Sequence, residues 1–356
     1  MKIKEFQSIL GKKKIDAAVF YNSDSSKYNP NMFYFSQYSG IGALVIPAEK
    51  PAFLIAPKME LQRARHSMVK NVFSMEKKRF FESIKTVLKQ NRINTGRLAI
   101  DKGSFTLNAF RHFKKQFRKS GISDSAPDCI RIREIKSEKE AEFLKISCSH
   151  ADRIIKKAIN NFKDFKTESE AAAFLEYETK KYGLELSFNP IVASGSNGSM
   201  PHHEPLNSPI KKGFCVIDFG VKHKGYCSDM TRTIYIGKPS GKENQIYNLL
   251  LEIQTGSINQ ISENKKCSEL YDSVNRKLGK YKKYFTHGLG HGVGVEIHEM
   301  PNLTLNSKDK IQNNMVFTIE PGVYFPKKFG IRIEDTILFK NKTSVLTKTS
   351  KDLLIL

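Results

Sequence analysis

The sequence places carboxylates inside apolar strands, and this constrains the chain more than any other feature. Phe214-Cys215-Val216-Ile217-Asp218-Phe219-Gly220 is apolar except for Asp218. Burying an unpaired carboxylate is costly, so such a residue needs a cation or a hydrogen-bonding partner. Eleven residues later, Asp229 opens the strand-like stretch Ser228-Asp229-Met230-Thr231-Arg232-Thr233. Lys224-Gly225 lies between them and predicts a hairpin that brings both strands together. Either Asp alone would pass as a turn or cap residue. A second pair removes that option. Glu320 ends the apolar run Val316-Phe317-Thr318-Ile319, just before Pro321-Gly322. In Ile331-Arg332-Ile333-Glu334-Asp335, alternation puts Arg332, Glu334 and Thr336 on one face and Ile331, Ile333 and Ile337 on the other. Four acids on four apolar strands are poorly explained as solvated charge and well explained as ligands of hard or borderline cations.

The histidines extend the pattern. His287-Gly288-Leu289-Gly290-His291-Gly292-Val293-Gly294 has Gly at every second position, which in a strand strips one face bare and lets another chain or a ligand approach the backbone. His298-Glu299 follows, but Met300-Pro301 comes directly after it, so this is not the helical H-E-x-x-H of zinc proteases. His202 and His203 lie in a loop rich in Gly, Ser and Asn. Five of the nine histidines therefore sit in two short segments. A lone histidine is more often structural than a ligand; five beside four strand-borne acids reverse that expectation. Four carboxylates and one imidazole suit two divalent ions about 3.5–4 Å apart, which can acidify a shared water and polarise a carbonyl. That chemistry fits amide hydrolysis.

The remaining sequence sets the frame. At 356 residues the chain can hold two domains with separate cores. Residues 1–135 alternate strand-like segments (15–21, 42–47, 51–56, 97–101) with helical ones (83–91, 107–119), an α/β layer pattern. Residues 23–31 read as a polar loop. The boundary falls near Ile135, after a turn at Ala126-Pro127-Asp128 and an extended stretch over 131–136. From residue 136 the order is two helices, a strand pair (214–221, 228–236), two more helices (243–261, 268–278) and a second strand pair (315–324, 331–339). Capping boxes at Ser137–Glu140 and Thr167–Glu170 open the first two helices. The repeated order points to an internal duplication with a site between its halves.

The net charge is +23, and residues 1–136 hold 27 Lys and Arg against 11 Asp and Glu. The basic residues are spread out, with no recognisable nucleic-acid motif, so a solvated lysine-rich surface is expected. No apolar run approaches a membrane span. The N-terminus lacks the apolar core of a signal peptide. Five cysteines without a C-x-x-C pair argue against a disulfide framework. The chain is expected to be cytoplasmic, with reduced, partly buried thiols.

The segments IDFGVKHKGYCSDMTRT, THGLGHGVGVEIHEMP, FTIEPGVY and GIRIEDT resemble, in order, motif blocks of the pita-bread metallopeptidases, a family that includes methionine aminopeptidase, aminopeptidase P and prolidase. The first third resembles, more weakly, the creatinase-type extra domain of the Xaa-Pro branch. The resemblance implies a smaller α/β creatinase-like domain over 1–135. A pita-bread catalytic domain with internal two-fold repeat would follow over 136–356. It implies two divalent ions, Mn²⁺ first and Co²⁺, Fe²⁺ or Zn²⁺ as alternatives, held by Asp218, Asp229, His291, Glu320 and Glu334. By the same resemblance Asp229 and Glu334 bridge both ions, and Glu320 also handles the proton of the attacking water. His202 and His298 contact the substrate carbonyl, and Arg332 braces Asp218. His287 would be structural or would support a ligand from behind, and His203 and His223 would be surface residues. The implied substrate is a peptide with proline in second position, and the implied assembly a homodimer. Some prolidases carry an Arg just after the HE-x-P segment, where this chain has Asn302, so aminopeptidase and dipeptidase activity both stay open. Two other readings use the same fold: a non-catalytic nucleic-acid- or protein-binding member, and a metal-free creatinase-like hydrolase. The intact carboxylate set disfavours both.

Overall fold

The computed structural model describes residues 2–24, 28–75 and 79–356. Its contacts divide the chain into two compact units, 1–133 and 134–356.

The first unit is built on a six-stranded sheet in the order Asn71–Met75, Phe53–Pro57, Gly42–Pro47, Ala17–Asn22, Arg97–Ile100, Gly121–Asp124. The central strands pair antiparallel and the outer ones parallel. Ala17, Val19, Val45, Ile55, Leu98 and Ile100 meet Phe81, Ile84 and Leu88 from the Phe80–Gln90 helix and Phe113 from the Leu107–Gln116 helix. The N-terminal residues form a helix, Lys2–Lys12, which buries Phe6 and Leu10. Two expectations need correction. The polar loop stops short of Asn31: Asn29 caps a helix at Pro30–Ser36, with proline at its first position. The 25–27 portion of that loop lies outside the described residues. The 131–136 stretch is not extended, because residues 126–134 form a helix that Pro127 enters in its first turn, where a missing N–H costs nothing.

The second unit repeats helix pair and strands twice, as the element order predicts. The first pair, Glu138–Asn160 and Glu168–Lys181, packs Ile154, Ile155, Ala171 and Leu175 against Cys215, Ile217, Phe219 and Ile234 of a three-stranded sheet. That sheet runs Met230–Ile236, Gly213–Phe219, Ile191–Ser194. The second pair, Gly241–Ile258 and Cys267–Leu278, covers a separate cluster with Phe317, Ile319, Ile331, Ile333 and Ile337. Its five-stranded sheet runs Glu299–Leu303, Gly290–Gly292, Met315–Ile319, Asp335–Lys340, Lys342–Val345. Ser137 forms the expected capping box with Glu140, and Ser240 forms another with Glu243. At Thr167 only half the box exists: Thr167 accepts from the Glu170 amide, while the Glu170 side chain takes the amide of Lys166.

The hairpin between the first two acids is present. Val221–His223 pairs with Tyr226–Cys227 through Lys224 and Gly225, both at positive φ (51° and 80°), as a tight right-twisting hairpin demands. The second strand pair departs from expectation because each strand is broken. Met315–Ile319 stops before Glu320-Pro321, and Gly322–Phe325 continues in a two-stranded sheet with Phe329–Arg332. The chain breaks again at Ile333-Glu334 before Asp335–Lys340. Pro321 cannot donate to a ladder, which explains the first break. At each break the backbone is tied elsewhere, the Glu320 amide to Leu289 O (2.8 Å) and the Glu334 amide to Thr231 O (3.2 Å).

All five cysteines are buried and unpaired. No helix among the described residues is long and apolar enough to cross a membrane.

Candidate metal centre

Asp218 extends from the Gly213–Phe219 strand, directly opposite Thr231 in the antiparallel register. Its Oδ2 lies 2.6 Å from Nη2 of Arg332, the brace expected from sequence. Its Oδ1 is buried without a hydrogen-bond partner among the described residues. Asp229 sits just before the Met230–Ile236 strand and is 5% exposed. Glu334, 1% exposed, accepts from Thr231 Oγ1 at 2.7 Å. Glu320 accepts from Thr318 Oγ1 at 3.2 Å.

The Gly-alternating segment delivers the imidazole. A Cβ on Gly290 would land on the Thr318 carbonyl, and one on Gly292 on the Met300 carbonyl. Bare glycines thus let the Gly290–Gly292 strand lie against its neighbours. His291 Nδ1 is 3.1 Å from the Gly292 carbonyl. With the proton there, the Nε2 lone pair faces the acids, 3.5 Å from Asp229 and 3.3 Å from Glu320. Ligand atoms of Asp229, His291 and Glu334 all lie within 4.8 Å of one another.

These residues line one cavity of about 500 Å³, together with His202, His298, His287, Asn302 and Arg332. The His298 ring centroid is 4.4 Å from that of His291. His287 contacts Tyr324 Oη at 2.8 Å, and Tyr324 Oη accepts from Arg332 Nη1 at 2.7 Å, so His287 supports the brace. Sequence reasoning missed Thr231, Thr318 and Tyr324; for the first two, their position on the same strands as the acids was an available signal. It also misplaced two histidines. His203 is buried, 2.8 Å from Glu168, and His223 is half-buried, stacked on His150.

The electrostatics describe a site that wants a cation. Burial, then the charges of Glu334, Asp218 and Glu320, push the Asp229 carboxyl well above its ordinary range. Burial and the same crowding push Glu334 well up. Burial raises Glu320 as well. Burial keeps His291 and His298 neutral by lowering both. For Arg332 burial works against the charge, but Tyr324 and the surrounding carboxylates outweigh it and hold the guanidinium protonated. One guanidinium cannot neutralise four carboxylates. The crowded acids, the orphaned Asp218 oxygen and the free imidazole lone pair fit divalent cations by donor chemistry.

Crowded acids, a neutral imidazole and an open cavity define the class: a metal-dependent hydrolase. The chain belongs to metallopeptidase family M24, which it matches over residues 142–341, and residues 2–135 match the creatinase/prolidase N-terminal domain. Divalent metal is thus part of its chemistry, and the second unit carries the pita-bread fold. The chain is 37% identical to an Xaa-Pro dipeptidase of Pyrococcus furiosus, with 91% of this chain and 92% of the relative covered. The prolidase structure from Pyrococcus horikoshii OT3 superposes with a TM-score of 0.90 at 33% identity, covering 99% of both chains. The X-Pro aminopeptidase structure from Thermotoga maritima MSB8 also gives 0.90, at 27% identity, covering 99% of this chain and 100% of that one.

Proposed function

We propose that the protein hydrolyses the peptide bond between an N-terminal residue and a following proline, as an Xaa-Pro aminopeptidase or dipeptidase. The convergence of Asp218, Asp229, His291, Glu320 and Glu334 on one cavity carries this reading. The proline requirement is supported by the relatives, which are named for Xaa-Pro substrates.

In this reading the five residues would hold two ions, with Asp229 and Glu334 serving both. Mn²⁺ is the first choice, because oxygen-rich donor sets suit it; Co²⁺, Fe²⁺ and Zn²⁺ are alternatives. When bound, such ions supply Lewis-acid polarisation of the scissile carbonyl and acidify a water. Glu320 takes the proton of the attacking water and returns it to the departing proline nitrogen. His202 and His298 donate hydrogen bonds to the carbonyl oxygen as it gains charge. Arg332 holds Asp218 in place through their 2.6 Å contact. Asn302 lies beside the cavity and offers an amide where a cation would favour the free carboxylate of a dipeptide. This supports acceptance of longer peptides.

The domains 1–135 and 136–356 are proposed as a non-catalytic domain and a catalytic one, the protein as a homodimer, and its compartment as the reducing cytoplasm, in keeping with five unpaired thiols. The deciding experiment strips the metal, restores each ion singly, and assays Xaa-Pro dipeptides, Xaa-Pro tripeptides and Xaa-Ala controls. Metal-dependent release of the residue before proline is expected. Equal cleavage of Xaa-Ala peptides, or full activity of Asp229→Ala, would sink the reading.

A further inference from the structure

A carboxylate outside the metal centre organises part of it. Glu168 stands in the first turn of the Glu168–Lys181 helix and is completely buried. Its Oε1 accepts from the amide and hydroxyl of Ser194, both at 2.7 Å, and from Asn197 Nδ2 at 2.9 Å. Its Oε2 accepts from Asn197 Nδ2 (3.1 Å), His203 Nε2 (2.8 Å) and the Leu206 amide (3.2 Å). These donors lie at the beginning, middle and end of one loop, 194–206, so a single charge closes the loop on itself. A carboxylate that accepts several hydrogen bonds in a dry environment is a stiff support.

The loop has a second end in the cavity. His202 lines it, next in sequence to the imidazole that Glu168 holds. The Pro201 carbonyl, one residue earlier, accepts from Arg332 Nη1 at 3.4 Å. The 201–203 peptide is thus fixed from both sides. We propose that Glu168 is a positioning residue: through His203 and the folded 194–206 loop it holds His202 at the reacting carbonyl. This rests on the role given to His202 under the proposed function.

Glu168→Gln tests it, because the variant keeps the shape but turns one acceptor oxygen into a donor facing donors. In the metal-loaded protein, hydrogen exchange of the 194–206 amides should accelerate at least several-fold while the rest of the second unit stays protected. kcat/KM should fall roughly 10–100-fold, the usual effect of losing a supporting hydrogen-bond partner, and metal affinity should hold. Because Glu168 acts through His202, Glu168→Gln combined with His202→Ala should be no slower than His202→Ala alone. Unchanged loop exchange, or a double variant slower by the full Glu168→Gln factor, overturns the proposal while leaving the role of His202 intact. A fully active His202→Ala overturns that role too, a distinguishable result. If Glu168→Gln does not fold, His203→Phe removes one spoke of the hub and is judged by the same measurements.

Discussion

Arg332 shows how finely the site is balanced at the level of single residues. It is the one Lys or Arg side chain among the described residues lining the cavity, and it is 4% exposed. Arg332→Met leaves Asp218 without its 2.6 Å partner. Stability of the metal-free protein should fall by about 3–5 kcal/mol in denaturant titrations, the range for breaking a buried pair. Metal affinity should drop roughly 10–100-fold in competition titrations as Asp218 loses its orientation. The acids predict a pH effect of definite sign. Asp229, Glu334 and Glu320 have carboxyl pKa values raised in the folded state, so the folded protein holds protons that the unfolded chain releases. Their contribution to stability is complete below the unfolded value, about 4, and is lost as pH rises through the raised native values. Metal-free wild type should therefore lose Tm relative to metal-free Asp229→Asn/Glu334→Gln as pH rises from about 5 to about 8. Parallel curves would count against the repulsion. Metal should reverse the order, because only the wild type binds it well. The acids that crowd the cavity were legible in the sequence because an acid in an apolar strand is too costly to keep unless a cation or a donor answers it. Glu168 and His203 were not. A Glu just after a helix N-cap looks like a dipole-favouring surface acid, and nothing local announces that a distant loop will wrap around it.

Among the elements, the Gly290–Gly292 strand is the most exacting. Gly290→Ala would drive a methyl group into the Thr318 carbonyl, and neither strand can yield without moving His291 or the start of Glu320. A loss of about 1–3 kcal/mol in chemical denaturation, typical of overpacking, is expected together with weaker metal binding. Wild-type stability in that variant would show that the strands can part. The Gly alternation was legible because it changes a face regularly. The Lys224-Gly225 turn was legible because its chemistry selects positive φ. The strand breaks at Glu320 and Glu334 were hidden. Ile331, Arg332, Ile333 and Glu334 alternate as a single strand would, although the chain leaves the Phe329–Arg332 pairing and enters another sheet at Asp335, so the side-chain pattern does not announce that the hydrogen-bond partners switch. The 126–134 helix was missed because Ala-Pro-Asp suits a turn and a first helical turn equally well.

At the scale of the whole molecule, chemistry and charge are divided. Every cavity-lining residue lies between 188 and 334, in the second unit, while 1–136 carries a surplus of 16 positive charges. The second unit has its own apolar clusters, so residues 134–356 expressed alone should fold and bind Mn²⁺ with affinity close to that of the full chain, as calorimetry can measure. Loss of binding would mean that the first unit is needed to shape the site. The two-unit plan and the repeated helix–strand order could be inferred from element order alone. The close packing within each half could not, since it depends on which faces meet. Gly288 and Gly290 line the cavity beside His287 and His291, so part of its wall is main chain. Main chain offers no alphabet for variation. Selection, natural or in the laboratory, can retune which peptide fits only through the 188–205 segment and the stretch around Asn302, and a library aimed at new preferences should leave 288–294 untouched.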